Sequence, residues 1–334
     1  MILHEPVIVS IIIPCFNEEK TIGLLLEAIY QQSYPRPSLE VIIADGQSTD
    51  RTREAILVFQ QTHPDLEVKL VDNIRRNIPA ALNTAIMNAR GEIIVRLDAH
   101  SAPAQDYVER CVRGLQSGLG DNIGGVWDIR PGNSNWIGRS ISAAASHPFG
   151  VGDAHYRHAS QPAEVDTVPF GSFFRGLIDK IGGFDETLLT NEDYEFNTRI
   201  RLSGGRVYLD PMIRSQYYAR PDLQGLARQY FRYGYWKYRM LRRYPGTLRW
   251  RQALPPVFVA GVILSIILGL FFGWARFFLT AGLGLYLLVM VLAAIPYAIK
   301  RKDGQLMAGI PLAILTMHFC WGFGFLFSIL RTKS

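Results

Sequence analysis

The chain contains little cysteine and begins without the pattern of a secretory signal. Its three cysteines, Cys15, Cys111 and Cys320, are widely separated within 334 residues. This spacing matches neither a disulfide framework nor a zinc-ligand motif, and it fits a reducing compartment. The first six residues lack a basic start and an apolar core. We therefore expect the N-terminal part of the chain to stay in the cytosol.

Charge is nearly absent from residues 253–330, whereas residues 1–252 have the composition of a soluble α/β chain. Three apolar stretches lie in the charge-poor part: 253–273, 277–299 and 306–330. Each is long enough to cross the roughly 30 Å of hydrocarbon in a bilayer. We predict about three transmembrane helices here, with two spans and one re-entrant segment as the alternative.

Basic residues around the apolar stretches predict how they are oriented. The positive-inside rule favours a cytosolic position for the loop Lys300-Arg301-Lys302. Arg331 and Lys333 then fall outside, against the rule. We expect a multi-pass protein of the inner (plasma) membrane whose N-terminal domain is cytoplasmic. A stripe of small residues predicts close packing of the first span against another helix: Gly261, Ser265, Gly269 and Gly273.

The net charge of +6 is concentrated just before the first apolar stretch. Asp222 is the single acid among nine basic residues: Arg220, Arg228, Arg232, Lys237, Arg239, Arg242, Arg243, Arg249 and Arg251. Tyrosine and tryptophan are interleaved with them, a mixture that also occurs in nucleic-acid-binding segments. A basic, aromatic helix directly before an apolar span is more typical of a helix on an anionic membrane surface. We therefore expect membrane lipid, and no nucleic acid, as a partner.

Strand-then-helix repeats occupy the first part of the chain. β-branched, apolar runs predict strands at 7–13, 39–44, 68–71 and 93–97, with helices near 17–32, 50–61 and 78–89. Such alternation predicts a parallel sheet with right-handed crossovers. Polar residues follow all four strands: Asn17, Asp45, Asn73 and Asp98. We expect them to meet at the carboxyl edge of the sheet, where open α/β sheets bind ligands.

No glycine follows the first strand, and this excludes a dinucleotide-binding loop of the Rossmann type. The residues there are Pro14-Cys15-Phe16-Asn17-Glu18, and the glycines at 118–124 lie between a helix and a strand instead. The fourth strand ends in Asp98-Ala99-His100, which puts a carboxylate and an imidazole on the same side of an extended chain. The pair is well placed to hold a divalent cation. The alternative is an aspartate that caps the next helix beside a surface histidine.

Residues 121–166 are less regular and rich in glycine, serine and histidine. This segment is predicted to be either a flexible excursion over the site or a wall that shapes an acceptor. Its histidines, His147, His155 and His158, are predicted to be solvated loop residues. A strand is predicted at 168–175, where Gly171 would allow a ligand to approach closely. A helix begins near Asn191, and in its first turn acids such as Glu192 and Asp193 complement the helix dipole.

In this order, five segments resemble the motifs of the inverting glycosyltransferases of the GT-A fold, family 2. The resemblance runs from about Val7 to Tyr233. The segments are Ile13-Pro14-Cys15-Phe16-Asn17-Glu18, Asp45-Gly46-Gln47-Ser48-Thr49-Asp50, Asp98-Ala99-His100, Asn191-Glu192-Asp193-Tyr194 and Gln229-Tyr230-Phe231-Arg232-Tyr233. Taken in that order, the five segments are similar to five motifs of the family: the opening nucleotide motif, the D-G-S-x-D turn, the D-x-D metal motif, the E-D segment and the Q-x-x-R-W motif. Gln47 is an additional residue, His100 replaces an aspartate and Tyr233 replaces a tryptophan.

The resemblance implies an α/β fold and a division into three parts. A Rossmann-like GT-A domain with a mainly parallel sheet is expected over 1–219, basic amphipathic interface helices over 220–252, and the transmembrane region over 253–330. Residues 168–171 and 230–237 most resemble the bacterial succinoglycan-type exopolysaccharide β-glucosyltransferase branch.

The resemblance also implies roles for individual residues. Donor binding is implied for Pro14, Asn17, Glu18, Asp45 and Asp98. Mg²⁺ or Mn²⁺ is implied at Asp98 and His100, and the general base at Asp193. The acceptor or the diphosphate is implied to contact Glu192, Gln229, Arg232 and Tyr233.

The implied activity is transfer of a sugar from a nucleoside diphosphate sugar, expected to be UDP-glucose, to a polyprenyl-diphosphate-linked saccharide. The expected product is β-linked and belongs to polysaccharide biosynthesis. Two alternatives stay open. One is a glycosyltransferase that acts directly on polyprenyl phosphate. The other is a non-catalytic membrane protein that binds sugar nucleotides.

Overall fold

The computed structural model describes residues 7–331, and the chain folds into two compact units. The first unit comprises Met1–Asp128 and His158–Tyr217. The second comprises Ile129–Arg157 and Tyr218–Ser334. The irregular segment predicted at 121–166 is therefore divided between the units. The division into 1–219, 220–252 and 253–330 stays a prediction.

A mixed sheet forms the centre of the first unit. Its strands are β1 (Val9–Cys15), β2 (Leu39–Asp45), β3 (Glu67–Asp72), β4 (Ile93–Arg96), β5 (Ser101–Pro103), β6 (Asn122–Arg130), β7 (Ala163–Glu164), β8 (Ser172–Phe174) and β9 (Val207–Tyr218). The helices of this unit are α1 (Ile22–Tyr30), α2 (Thr52–Thr62), α3 (Ile78–Met87), α4 (Tyr107–Gln116), α7 (Gly176–Ile181) and α8 (Glu192–Leu202).

The strand order is β3-β2-β1-β4-β8-β6-β9-β5, and β7 pairs with β9. The four predicted strands form the parallel half, in which β1 lies between β2 and β4 and β2 pairs with β3. The other half is antiparallel, beginning with β8 against β4. The Rossmann-like α/β fold is thus confirmed, with a more mixed sheet than a mainly parallel one. The strand predicted at 168–175 is limited to the three residues of β8.

The parallel strands are buried on both faces, as their continuous apolar runs predict. Ile11 and Ile13 of β1 are fully buried, and so are Val41 and Ile43 of β2. Helices α1 and α4 contribute Leu25, Leu26, Ile29, Val108, Cys111 and Leu115 to the same core. Burial of a large aliphatic side chain stabilises by about 1.5–3 kcal/mol. This core therefore fixes the positions of the strand ends.

The carboxylate of Glu40 is buried within the parallel half of the sheet. It accepts hydrogen bonds from Ser10 Oγ at 2.5 Å, the Arg90 backbone N–H at 2.7 Å and Lys69 Nζ at 3.0 Å. Ser10, the polar interruption in the first apolar run, is therefore the partner of this carboxylate. Burial raises the pKa of Glu40, but these hydrogen bonds outweigh burial and leave the pKa below its ordinary value.

The second unit is helical. It contains α5 (Trp136–Ala144), α6 (Pro148–Val151), α9 (Leu223–Leu241), α10 (Trp250–Gly269), α11 (Gly273–Arg301) and α12 (Leu306–Arg331). The last three helices are long and apolar enough to cross a membrane. Residues 274–276, predicted to separate two spans, lie inside α11, and the chain turns at 270–272 instead.

Glycines mediate close packing between these helices, and the predicted stripe does so only in part. Gly261 has no heavy atom within 4 Å of an added Cβ, whereas a Cβ on Gly269 would lie 3.1 Å from Arg276 Cγ of α11. A Cβ on Gly234 would lie 2.0 Å from the Trp321 carbonyl oxygen, and one on Gly324 would lie 2.1 Å from the Phe231 carbonyl oxygen. The backbones of α9 and α12 therefore approach each other closely.

The histidine prediction for residues 121–166 is wrong for His147. Its side chain is buried, with Nδ1 accepting from the Phe149 backbone N–H and Nε2 3.2 Å from the Ala293 carbonyl oxygen. His155 and His158 are exposed, as predicted. His147 thus caps α6 and ties it to α11.

We predict that Glu40→Gln destabilises the protein, because the amide cannot accept every hydrogen bond that the carboxylate accepts. An unsatisfied buried donor costs about 1–3 kcal/mol, which corresponds to a fall of roughly 5 °C in melting temperature. The stabilisation by Glu40 is complete above its ordinary pKa and is lost as pH falls through the lowered value. Thermal unfolding in detergent at pH 7 measures the effect.

Glu67→Gln is the matched control, since Glu67 contacts the same Lys69 from a half-exposed position. Its melting temperature should stay within about 1 °C of the wild type. Equal effects of the two substitutions would contradict the role of Glu40.

Candidate active site

The loops after the parallel strands are joined by hydrogen bonds at one edge of the sheet. Asn17 follows β1 with a left-handed backbone (φ 54°), and its Oδ1 accepts from the Thr49 N–H at 2.8 Å. The Asp45 carbonyl oxygen at the end of β2 accepts from the Asn73 N–H at 2.8 Å. Glu18 Oε1 lies 3.0 Å from His100 Nδ1. The predicted meeting of these loops is confirmed.

Asp45 is fully buried and holds its own loop in shape. Its Oδ1 accepts from Ser48 Oγ at 2.5 Å, and its Oδ2 accepts from the Ser48 N–H and from Arg53 Nη1, both at 3.0 Å. Gln47, the additional residue of this turn, has a left-handed backbone (φ 61°) and accepts from Arg76 Nε at 2.9 Å. The extra residue therefore connects this loop to the one after β3. Pro14 is half-buried near the end of β1.

Asp98 and His100 follow β4, and both are partly accessible to solvent. The side chains are 23% and 38% exposed, respectively. Burial raises the pKa of Glu18, but hydrogen bonds with His100 and Thr21 outweigh burial and lower it. A carboxylate on one ring nitrogen is the usual partner that orients a metal-ligating imidazole. Glu18 is therefore suited to orient His100.

The residues present fit a divalent cation of the Mg²⁺ type. Within residues 7–331, no group of three or more histidine, cysteine or acidic side chains is arranged around a common metal position. Mg²⁺ in nucleotide sites is usually held by one or two carboxylates together with substrate phosphates and water. Asp98 is a carboxylate of that kind, and the oriented imidazole of His100, two positions on, adds a nitrogen donor, which suits Mn²⁺ better than Mg²⁺.

A buried arginine, Arg96, links Asp98 to α8. Its Nη2 donates to Asp98 Oδ1 at 3.2 Å and to Glu192 Oε1 at 2.8 Å. Its Nε and Nη1 are buried without a hydrogen-bond partner among the described side chains and backbone. The side chain is 6% exposed. The sequence reasoning missed Arg96, although a charged residue inside the apolar run 93–97 was an available signal.

The two acids at the start of α8 have different environments. Asn191 precedes the helix with a left-handed backbone (φ 68°), Glu192 is buried against Arg96, and Asp193 is half-buried. Burial and then the negative charge of Glu192 raise the pKa of Asp193 to about 6, and Arg96 partly opposes them. Asp193 is thus the acid suited to exchange a proton near neutral pH.

Gly171 makes room for a side chain and not, as predicted, for a ligand. A Cβ at this position would lie 2.2 Å from Asn122 Oδ1. Asn122 Nδ2 in turn donates to Asn197 Oδ1 at 2.6 Å. These residues line a small cavity together with Arg96 and Asp193.

The predicted residues near the membrane region lie on α9 in the second unit. Gln229 Nε2 donates to Tyr233 Oη at 2.9 Å, so these two predicted residues are in contact. Arg232 is exposed on the same helix. The predicted site residues are thus divided between the units, with Pro14, Asn17, Glu18, Asp45, Asp98, His100, Glu192 and Asp193 in the first.

A Rossmann-like half-sheet that continues into antiparallel strands, with Asp98 and His100 at the tip of β4, defines a glycosyltransferase domain of the GT-A fold. The model of the family "Glycosyl transferase family 2" matches residues 10–182. The chain belongs to this family.

Relatives match over nearly the whole chain. A dolichyl N-acetyl-alpha-D-glucosaminyl phosphate 3-beta-D-2,3-diacetamido-2,3-dideoxy-beta-D-glucuronosyltransferase of Methanococcus voltae is 28% identical over 332 residues, 98% of each chain. The succinoglycan biosynthesis protein ExoA of Rhizobium meliloti is 28% identical over 94% of this chain and 93% of its own. The mannosyltransferase PcManGT of Pyrobaculum calidifontis, solved with GDP-Man and Mn²⁺, has a TM-score of 0.65 at 22% identity over 97% of this chain and 88% of its own. This last likeness establishes the fold.

We predict that Arg96→Met destabilises the protein, because it leaves buried Glu192 and neighbouring Asp98 without their shared cation. Removal of one partner from a buried ion pair costs about 3–5 kcal/mol, which corresponds to a fall of roughly 10 °C in melting temperature. The double variant Arg96→Met/Glu192→Met should recover part of this loss. Thermal unfolding in detergent measures all three proteins.

Arg51→Met is the control, since Arg51 pairs with Glu54 on the surface. It should change the melting temperature by about 1 °C at most. A single Arg96→Met variant as stable as this control would contradict the role of Arg96 as the shared partner.

Proposed function

We propose that the protein is a membrane-anchored, metal-dependent, inverting glycosyltransferase that transfers a sugar to a lipid-linked saccharide. The observation that carries this proposal is the double contact of Arg96 with Asp98 and Glu192. Through this contact the tip of β4, suited to a metal and a diphosphate, lies beside the first turn of α8, which carries Asp193. A leaving-group site and a base are the two parts that a direct displacement requires.

The proposed donor is a nucleoside diphosphate sugar, with UDP-glucose as the first candidate. The loops that carry Pro14, Asn17, Glu18 and Asp45 hold the nucleoside in this proposal. Asp45 is fully buried, so its part in this proposal is to keep the loop after β2 in the shape that contacts the nucleoside. Nucleotide-sugar binding is supported by the GDP-Man in the structure of PcManGT.

Mg²⁺ or Mn²⁺ is the proposed cofactor, held by Asp98 and His100. Such an ion acts as a Lewis acid toward the diphosphate and neutralises charge on the leaving group. Glu18 keeps the His100 ring oriented in this proposal, and Arg96 keeps Asp98 in place.

Asp193 is the proposed general base. The acceptor oxygen forms a bond to the anomeric carbon while the bond from that carbon to the diphosphate oxygen breaks, and the hydroxyl proton passes to Asp193. A positioned base typically contributes about 10²–10⁴-fold to the rate. One direct displacement inverts the anomeric centre, so an α-linked donor gives a β-linked product. Glu192, which already pairs with Arg96, shapes this side of the site.

The proposed acceptor is a saccharide on a polyprenyl diphosphate. Support comes from the relative in Methanococcus voltae, whose name describes a lipid phosphate sugar as the acceptor. On α9, Arg232 would contact the diphosphate, and Gln229 and Tyr233 would shape the acceptor side. Direct transfer to a polyprenyl phosphate remains the second candidate. A cytoplasmic position of the catalytic domain at the inner membrane is part of the proposal.

We predict that Asp193→Asn lowers transfer at least about 100-fold, because the amide cannot accept the hydroxyl proton. Donor binding, measured by calorimetry with the nucleotide sugar, should change less than about threefold. For the wild type, kcat/KM should rise with pH through about 6, because Asp193 accepts a proton only when it is ionised. Asp179→Asn, in an exposed acid of α7, is the matched control.

Persistent transfer by Asp193→Asn would contradict the assignment of the base. Loss of donor binding together with transfer would show that Asp193 has a structural role instead.

The proposed substrates are tested with the purified protein and labelled UDP-, GDP- and dTDP-sugars. We expect transfer from one donor class to a polyprenyl-diphosphate saccharide, loss of transfer on chelation and its recovery with Mn²⁺ or Mg²⁺. Equal transfer to water-soluble saccharides would contradict a lipid-linked acceptor. Transfer to bare polyprenyl phosphate would favour the second candidate, and binding without any transfer would favour a non-catalytic protein.

A further inference from the structure

We propose that α10 and α11 form the hairpin that crosses the bilayer, and that α12 lies along the membrane surface and returns the C-terminus to the side where α10 begins. By length and composition α12 qualifies as a span, as do α10 and α11. The helices differ in what packs around them. The proposal therefore depends on the neighbours of α12 within the second unit and not on its sequence alone.

Polar groups contact α12 at positions that are closer together along the helix than the hydrocarbon core of a bilayer is thick. In the turn just before α12, Asp303 accepts from Arg139 Nε at 2.8 Å. Further along, His318 Nε2 lies 2.8 Å from the Phe149 carbonyl oxygen, and Trp321 Nε1 donates to the Gln252 carbonyl oxygen at 3.2 Å. His318 lies twelve positions after Leu306, where α12 begins, or about 18 Å along the helix. The hydrocarbon core is about 30 Å thick.

The C-terminal third of α12 packs against the basic helix α9. The two backbones meet at Gly234 and Gly324, where a Cβ would overlap with carbonyl oxygens of the other helix. Phe231 and Tyr235 also contact the Phe327 ring. If this part of α12 lay in hydrocarbon, α9 would lie there too.

Helix α9 has a charge pattern that is unsuited to hydrocarbon. Arg228 and Arg232 are exposed on it, and Arg239, about two turns further on, is half-buried. Cationic side chains within the hydrocarbon core are costly and rare. The same residues suit the head-group region, where basic amphipathic helices bind anionic lipid. The pair α9–α12 is therefore a surface element.

In the hairpin of α10 and α11, in contrast to α9, charged residues are rare. No charged residue lies between Arg251 and Arg276, or between Arg276 and Lys300. The rings of Phe258 and Tyr286 stack at 5.0 Å and pair the two helices. Beyond this pair, large apolar side chains are exposed on both helices: Leu264, Ile266, Ile267, Phe277, Phe278 and Leu285. Each helix is long enough to cross the hydrocarbon core.

This topology also removes a conflict in the charge distribution. With three spans, Arg331 would lie opposite the loop Lys300-Arg301-Lys302. With two, all of these residues lie on the side of Arg251, in agreement with the positive-inside rule. Arg276 then marks the far end of the hairpin.

The test is the labelling of single introduced cysteines by a membrane-impermeant maleimide, in intact cells and in inverted membrane vesicles. The sites are Phe272→Cys in the α10–α11 turn, Lys302→Cys in the α11–α12 turn, and a cysteine added after Ser334. Each is made in the full-length chain with Cys320→Ser, and the chain with Cys320→Ser alone gives the background. Retained amounts in the membrane fraction show that a variant is folded and inserted.

We expect the cysteine at 272 to be labelled at least tenfold more from one side. The cysteines at 302 and after 334 should both be labelled from the other side with the same preference. Labelling of the last two from opposite sides would establish three spans and overturn the proposal. Labelling of 272 and 302 from the same side would show that the hairpin does not cross, which also overturns it. Cysteine labelling does not depend on sugar transfer. A labelling result that overturns this topology would therefore not count against the proposed catalysis.

Discussion

The buried guanidinium of Arg96 is the interaction on which the catalytic part of the molecule depends. It joins an acid that follows a strand of the parallel half-sheet to an acid that begins a helix about a hundred residues later. Each acid alone would be an ordinary strand-end or helix-start residue. Because one cation pairs with both, the tip of β4 and the first turn of α8 are held together. Asp193, the next residue on that turn, acquires its proton affinity from this burial and from the charges around it.

A second set of contacts, all hydrogen bonds, connects the loops at the carboxyl edge of the parallel half-sheet. The side chains of Asn17 and Glu18 after β1 reach the loops after β2 and β4, and the backbone of Asp45 reaches Asn73. These hydrogen bonds are made between groups of the protein itself. Preorganisation of this kind reduces the reorganisation that a reaction requires. Gln47, the additional residue in the loop after β2, is part of the same hydrogen bonding, since its side chain accepts from Arg76.

Local sequence patterns predicted the parts of the fold that depend on local chemistry. Continuous apolar runs identified the four parallel strands, and polar residues after them identified the edge where Asp98 and His100 lie. Residue type alone could not separate the roles of Glu192 and Asp193, because the difference arises from Arg96, which is distant in the chain. Gly171 was read as a ligand contact for the same reason, since the side chain it accommodates is Asn122. In the antiparallel half of the sheet, β8 has only three residues, which are too few for a pattern.

In the second unit, too, the packing of each helix depends on residues that are distant in the sequence. Composition identified three apolar helices of sufficient length, and it did so correctly. Composition could not indicate that α9 and α5 pack along α12, or that His147 is buried against α11. The glycines at the contact of α9 with α12, Gly234 and Gly324, have no obvious period in the sequence, whereas the regular stripe beginning at Gly261 packs only near Gly269. Helix contacts that span long sequence separations therefore decide which apolar segments face lipid.

The central claim is a single displacement in which one base, Asp193, acts opposite a diphosphate held near Asp98. The anomeric configuration of the product tests it most directly, because it depends on the number of displacements and not on the identity of the sugar. With an α-linked nucleotide sugar as donor, the account predicts a product that nuclear magnetic resonance identifies as β-linked. An α-linked product from the same donor would contradict the account.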